Sequence, residues 1–262
     1  MKGGLLSKIS PLASSRDAIV TIACFIAVIL MLSFNFVPQK TQCNDNLLPS
    51  LYEQVNDSMS PRRCAFIDLG ANRADTLKVW LKEENAKFQY DFPLPFWVKQ
   101  HSDCEIYLFE ANPLFTPELR EAEKVYNDRG IKVKAFPETA VSAFDGQITL
   151  YLDEVNVDHD FWGTTVHGNG NEKVVNVTAM DVGVWLKKTF GPQDYVLVKM
   201  DIEKAEYDVL PRFLEVGAGS VIDVLLVEYH PYDTSNGQHQ IAADAAIKLS
   251  DTIFMPKYDS PA

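Results

Sequence analysis

The longest apolar stretch of the chain runs from Ala18 to Val37 and contains no charged side chain. At about 1.5 Å rise per residue, a helix of this length spans the roughly 30 Å hydrocarbon core of a bilayer. A buried core helix would carry polar residues on one face, and a signal peptide would have a shorter apolar stretch before a small-residue cleavage site. The pattern therefore predicts a transmembrane helix.

The charges that precede this stretch predict its orientation. Lys2, Lys8 and Arg16 are opposed only by Asp17. Because the basic flank stays in the cytosol, we expect a single-pass type II membrane protein of the endoplasmic reticulum or Golgi, with its main domain in the lumen. The predicted parts are a cytoplasmic N-terminus, a signal anchor, a polar stalk with two prolines and one folded domain, at residues 1–17, 18–37, 38–62 and 63–262.

Beyond the stalk, short apolar runs alternate with segments of helical spacing. Such alternation predicts an α/β fold with a doubly wound, mostly parallel sheet that binds ligands at the carboxyl ends of its strands. Two segments with period-two alternation predict a hairpin. The predicted strands are 65–69, 105–109, 132–136, 195–200 and 222–227, the hairpin strands are 147–152 and 174–177, and the clearest helices are 117–128 and 205–216.

Composition and charge narrow the classes of function. With 47% hydrophobic and 23% charged residues, the 262-residue chain has an ordinary globular composition. Its formal net charge of −12 disfavours nucleic acid as a partner, because an acidic chain repels phosphate backbones.

Cysteines and sequons bear on the lumenal placement. Cys43, Cys64 and Cys104 follow the apolar stretch, and their odd number leaves at least one thiol free or paired with another chain. Asn56 and Asn176 begin N-x-S/T triplets, so we expect a glycoprotein.

Polar residues stand at the carboxyl ends of four predicted strands. Each is by itself typical of a strand–helix turn or a helix cap. Because these ends meet at one sheet edge, the acidic side chains repel one another unless a cationic or hydroxyl-rich ligand lies among them. The pattern therefore favours a ligand site. Its residues are Asp68 and Gly70, then Glu110, then Asp201 and Glu203, and finally Glu228 and His230.

Two of these strand ends narrow the choice of ligand. Gly70 lets the backbone pass close under a ligand where a helix begins. A carboxylate in the position of Glu110 can accept two hydrogen bonds from a ribose diol. Only Gly70 remains of a G-x-G-x-x-G pattern, which disfavours the diphosphate of a nicotinamide cofactor.

Five motifs occur in the order and roughly the spacing of the FkbM family of class I S-adenosylmethionine-dependent O-methyltransferases. The resemblance covers about residues 64–232, and the KMDIE-x-AE block is its most specific element. The motifs are DLGAN at 68–72, LFEANP at 108–113, AVS at 140–142, VKMDIEKAEYDVLPRFL at 198–214 and LLVEYH at 225–230.

The resemblance implies a Rossmann-like sheet with S-adenosylmethionine as cofactor. It places Asp68, Gly70, Ala71 and Asn72 at the methionine end of the cofactor, Glu110 on the ribose hydroxyls, Ala140 or Val141 near the adenine, and Asp201 beside the reactive methyl group.

Two residues depart from the family pattern. Ala74 and Lys204 stand where family members usually have glycine. Alanine is tolerated at small cost if its φ is negative, whereas lysine is strained if its φ is positive.

Methyl transfer to an alcohol needs a base to take the hydroxyl proton. We expect Asp201, Glu203 and His230 to be catalytic, with Glu228 as a further candidate base, and by position we prefer Asp201. No tight His/Cys ligand cluster is present, so the sequence assigns no metal ligands and does not determine whether a metal is required.

Two other segments are candidate acceptor surfaces. Residues 87–102 hold five aromatic side chains and form either a lid or ordinary packing. A loop holds His159 and His167, although lone histidines are more often surface residues.

The leading hypothesis is a membrane-anchored O-methyltransferase acting on a hydroxyl of a glycan or small molecule. One alternative, motivated by Ala74 and Lys204, is a catalytically inactive relative with a binding or scaffold role. The other, motivated by Glu110, is a nicotinamide-dependent oxidoreductase.

Overall fold

The computed structural model of the chain describes residues 62–152, 163–168, 173–230 and 237–258. All of them belong to the second of two units, residues 1–60 and 61–262. The predicted membrane helix lies outside the described residues, as do Cys43, Asn56 and His159. In the described ranges, no helix is both long and apolar enough to cross a bilayer. The membrane anchor and the stalk therefore stay predictions.

The strands of the described part form two sheets, of five and three strands. In chain order they are β1 (Cys64–Leu69), β2 (Glu105–Glu110), β3 (Val133–Pro137), β4 (Thr139–Ser142), β5 (Gly146–Leu152), β6 (Lys173–Asp181), β7 (Tyr195–Met200) and β8 (Val224–Val227).

The larger sheet is wholly parallel, in the order β3-β2-β1-β7-β8. Its central strand β1 is buried along its whole length, as expected where helices cover both faces of a parallel sheet, whereas the edge strand β3 exposes Lys134. The chain builds outward from β1 in one direction to β2 and β3, and in the other to β7 and β8. The carboxyl ends of β1 and β7 therefore border the crevice where such sheets bind ligands.

Helices pack against both faces of this sheet. On one face Leu186, Phe213 and Leu249 join the core, and on the other Trp80 stacks on Phe66 with ring centroids 4.3 Å apart. Burial of each such side chain contributes roughly 1.5–3 kcal/mol relative to exposure. The helices are α1 (Asp75–Trp80), α2 (Thr116–Asp128), α3 (Val182–Thr189), α4 (Glu206–Val216) and α5 (Gln238–Leu249).

The smaller sheet contains the predicted hairpin. Strands β5 and β6 pair antiparallel from Gly146↔Ala179 to Leu152↔Lys173. Strand β4 pairs parallel with β6 on its other edge.

The described fold confirms the predicted α/β architecture with its mostly parallel, Rossmann-like sheet. The five predicted core strands and the two clearest helices agree with the structure to within two residues. The pattern missed β4 and α3. Helix α3 opens Val182-Gly183-Val184, which are poor helix formers, and it begins because the Asp181 side chain accepts a hydrogen bond from the Val184 N–H.

A disulfide joins Cys64 and Cys104. The parallel register pairs Ala65 with Glu105, so the two cysteines lie side by side at the amino ends of β1 and β2. This pairing was not assigned from the sequence, because spacing alone does not determine connectivity.

Candidate functional site

A cavity of about 520 Å³ opens at the carboxyl ends of β1, β2, β7 and β8. This volume is in the range of sites for small molecules and cofactors. Strand β4 and residues 164–166 form the wall opposite the strand ends. Among the described residues that line the cavity, carboxylates outnumber lysines five to two, so its field favours positive charge.

Gly70 makes the turn after β1 possible. Its φ is +88°, and a Cβ built at this position would lie only 1.7 Å from the Asp201 carbonyl oxygen. No other residue fits, because both its left-handed backbone and its contact with the loop after β7 exclude a side chain. The turn places the backbone of residues 70–72 on the cavity wall.

Glu110 ends β2 and is only 8% exposed. Its Oε2 accepts a hydrogen bond from the Asn72 N–H at 2.8 Å, and its Oε1 accepts one from the Asn112 N–H at 2.7 Å. Burial raises the pKa of Glu110 to about 7. Each carboxylate oxygen has two lone pairs, so the residue keeps capacity to accept hydrogen bonds from a ligand.

Lys199 is buried at the centre of the site, and the sequence analysis did not identify it. Its Nζ donates to the Gly70 carbonyl at 3.1 Å and to Asp201 Oδ2 at 3.0 Å, and it lies 3.3 Å from Asp68 Oδ1. Burial disfavours the charge of Lys199, but Asp201 and Asp68 raise its pKa above the ordinary value. The sequence does carry one sign of a special role for Lys199, because a lysine is unusual within an apolar strand such as β7.

Asp68 is completely buried and does not line the cavity, unlike most residues predicted for the site. Burial raises its pKa to about 6, while the charge of Lys199 opposes this shift. Neither of its oxygens makes a regular hydrogen bond, so its contact with Lys199 is an ion pair only. Asp68 is therefore paired with Lys199, which does line the cavity.

The strand ends of β7 and β8 bring Asp201, Glu203 and His230 together. His230 Nε2 lies 3.6 Å from Asp201 Oδ1, 3.4 Å from Glu203 Oε1 and 3.9 Å from Glu228 Oε1. On the other side of the ring, His230 Nδ1 lies 2.6 Å from Oε1 of Glu206, which is completely buried. The imidazole is thus held between four carboxylates.

These carboxylates change the proton affinities in the cluster. Burial raises the pKa of Glu203 to about 7, against the opposing charge of His230. Burial lowers the pKa of His230, but the hydrogen bond to Glu206 and the charge of Glu203 outweigh it and raise the value to about 9.

The backbone beside the cluster is strained. Ala74 has φ +62°, Glu203 +53° and Lys204 +81°, all in the left-handed region. The tolerance expected for Ala74 at negative φ therefore does not apply, and the strain expected for Lys204 is present. Such conformations cost about 1–3 kcal/mol each and are typical of functional sites.

The structure brings nearly all predicted site residues to the cavity. His167 does not line it and instead lies 3.1 Å from Asp208 Oδ2. Of the aromatic segment, Phe88 reaches the cavity, Phe92 packs in the core and Phe96 is 96% exposed. The predicted residues on the lining are Gly70, Ala71, Asn72, Glu110, Ala140, Val141, Asp201, Glu203, Glu228 and His230.

The doubly wound sheet, its glycine turn and its acidic cavity define a Rossmann-like domain with a cavity of small-molecule size at the crevice between β1 and β7. Within that class, the model of the methyltransferase FkbM domain matches residues 68–249, a range that includes every residue of the cluster. The chain belongs to the FkbM methyltransferase family, which indicates a methyltransferase. Searches of curated proteins and of solved structures give no significant match.

Proposed function

We propose that the protein is an S-adenosylmethionine-dependent O-methyltransferase that acts on a hydroxyl of a glycan or small molecule. The observation that carries the proposal is that Glu110 lines the same cavity as the Asp201–Glu203–His230 cluster. A buried carboxylate suited to a ribose diol and an acidic cluster suited to a cationic centre therefore lie within one small-molecule site.

The residues present fit the cofactor. Glu110 would accept hydrogen bonds from the ribose hydroxyls, and Ala140 and Val141 offer an apolar surface for the adenine. The side-chain Oδ1 of Asn72 is buried and makes no hydrogen bond in the structure. A buried amide oxygen without a partner is costly, and the methionine ammonium is a suitable donor for it.

Bound S-adenosylmethionine supplies an electrophilic methyl group on a positively charged sulfonium. The chain's task is to orient the acceptor and take its proton, because in-line displacement depends mainly on positioning. Lys199 fixes Asp201 through the 3.0 Å contact to Oδ2. A carboxylate beside His230 would take the proton that the acceptor hydroxyl loses during the transfer.

The geometry favours Glu203 over Asp201 as the base. Asp201 Oδ2 already lies 3.0 Å from Lys199 Nζ, so this carboxylate is engaged by a buried cation, whereas Glu203 contacts His230 at 3.4 Å. Glu203 has a pKa of about 7, close to the value at which a general base works best at neutral pH. Glu203→Gln should lower kcat by about 10²–10⁴-fold. If Asp201→Asn lowered kcat more than Glu203→Gln does, with cofactor affinity unchanged, Asp201 would be the base instead.

Calorimetric titration of the full-length protein with S-adenosylmethionine and S-adenosylhomocysteine tests the cofactor. We expect one site per chain, lost in Glu110→Ala and kept in Glu121→Ala, a control at an exposed position of α2. Folded wild-type protein that binds neither compound would favour the scaffold alternative. Binding of NAD(H) or NADP(H) instead would favour the oxidoreductase.

We also propose that the domain lies in the secretory lumen behind an N-terminal membrane anchor. The Cys64–Cys104 disulfide supports this placement, because such bonds persist in oxidising compartments. Asn176, which begins one sequon, is exposed on β6. Endoglycosidase should increase the electrophoretic mobility of the expressed protein, and by less in Asn176→Gln. An unchanged mobility of the wild type would count against the placement.

A further inference from the structure

We propose that Asp201, Glu203 and His230 bind one divalent metal ion at the floor of the cavity. One ligand atom from each residue lies within 4.8 Å of the others. The three atoms come from two different strand ends, because Asp201 and Glu203 follow β7 and His230 follows β8. The site therefore forms only when the sheet is assembled.

The measured distances suit a divalent ion. His230 Nε2 is 3.6 Å from Asp201 Oδ1 and 3.4 Å from Glu203 Oε1. Neighbouring ligands at about 2.1–2.4 Å from one ion are separated by roughly 3.0–3.4 Å in octahedral coordination and by about 3.4–3.9 Å in tetrahedral coordination. Small rotations of the two carboxylates would therefore bring all three atoms onto one centre.

Glu206, a carboxylate outside the proposed ligand set, orients His230 as a metal ligand. Glu206 is completely buried, its Oε1 lies 2.6 Å from His230 Nδ1, and its Oε2 makes no hydrogen bond. A metal-binding histidine typically donates its other ring N–H to a carboxylate, which fixes the tautomer and directs the free nitrogen at the ion. Glu206 supplies this arrangement, and an ion on Nε2 balances its buried charge.

The donor set indicates the kind of ion. Carboxylates suit Mg²⁺, Ca²⁺ and Mn²⁺, whereas imidazole suits Zn²⁺ and the later transition metals. A site with two carboxylates and one imidazole lies between these two preferences. Mn²⁺, which accepts both kinds of ligand, is therefore a suitable probe. If the proposed function holds, on which this role rests, an ion held by these three residues would supply a Lewis acid that lowers the pKa of the acceptor hydroxyl.

Electron paramagnetic resonance of Mn²⁺ added to the full-length protein tests the site. We expect one bound ion per chain, with affinity at least 100-fold weaker in Glu203→Gln. Glu206→Gln should weaken binding about 10–100-fold, because it removes the partner that orients His230. Glu215→Gln, an exposed carboxylate at the far end of α4, is the matched control and should bind normally.

Nitrogen hyperfine coupling on bound Mn²⁺ reports the imidazole directly. We expect this coupling in the wild type and its loss in His230→Gln. Equal affinity of the wild type and Glu203→Gln for Mn²⁺ would overturn the proposed site, and so would a wild-type signal without nitrogen coupling. Neither outcome depends on whether His230→Gln folds. Titration with S-adenosylmethionine in the presence of a chelator separates the metal site from the proposed function, because the cofactor can bind when the metal does not, and the metal can bind when the cofactor does not.

Discussion

At the residue scale, Lys204 is the clearest strained position. Its φ of +81° costs a side-chain-bearing residue about 1–2 kcal/mol, whereas glycine adopts it readily. Lys204→Gly should therefore raise the free energy of unfolding by about 0.5–1 kcal/mol after the entropy cost of glycine. Urea unfolding measures this change. The control is Lys188→Gly in α3, which should lower the free energy of unfolding by up to about 1 kcal/mol. If Lys204→Gly lowered the free energy of unfolding by the same amount, the backbone at Lys204 would not be strained.

Also at the residue scale, ionisation of Glu110 should make the binding of a ribose ligand depend on pH. Only the ionised carboxylate accepts two hydrogen bonds from the diol, and burial raises its pKa to about 7. Adenosine isolates this contact, because it has neither the sulfonium nor the amino acid. Its Kd should be about tenfold weaker at pH 6 than at pH 8. 2′-Deoxyadenosine should show a smaller change, and a pH-independent Kd for adenosine would remove the role of Glu110.

At the element scale, the disulfide ties β1 to β2 at their amino ends. Cys64 and Cys104 are separated by 40 residues, so the bond restricts a long loop of the unfolded chain. Cys64→Ser with Cys104→Ser should lower the free energy of unfolding by about 2–4 kcal/mol. Guanidinium unfolding measures this loss, and a reducing agent should reproduce it in the wild type. Cys43→Ser leaves the bond intact and should unfold like the wild type.

At the scale of the whole molecule, two buried carboxyls make stability depend on pH. Burial raises the pKa of Asp68 to about 6 and of Glu110 to about 7, against the partly opposing charge of Lys199. Because both folded pKa values exceed the unfolded ones, the folded state binds more protons, and stability falls as pH rises from about 4 to 7. The ligand-free protein in chelator should melt at least about 3 °C higher at pH 5 than at pH 7.5. Glu110→Gln should reduce that difference, and a higher Tm at pH 7.5 would contradict it.

Most of the large sheet and much of the site were predictable from the sequence, and particular residues show where prediction stopped. Asp68 and Glu110 stand at the carboxyl ends of their strands and His230 just after β8, so their meeting at one edge follows from parallel topology. Lys199 was missed because local pattern gives no partner for a lysine inside a strand. Its partner Asp68 lies on the neighbouring strand, at a position that the register of β1 and β7 decides.

The sequence by itself determined the five strands of the large sheet and helices α2 and α4, because periodicity and burial preference act over a few residues. It also determined the family, because the motifs are contiguous. Only the tertiary structure decided the contacts between distant segments: Cys64 with Cys104, Lys199 with Asp68, and His230 with Glu206. Each depends on how the strands align and how their side chains orient in three dimensions. The proposed metal site belongs to this second group, since its geometry exists only where the ends of β7 and β8 meet.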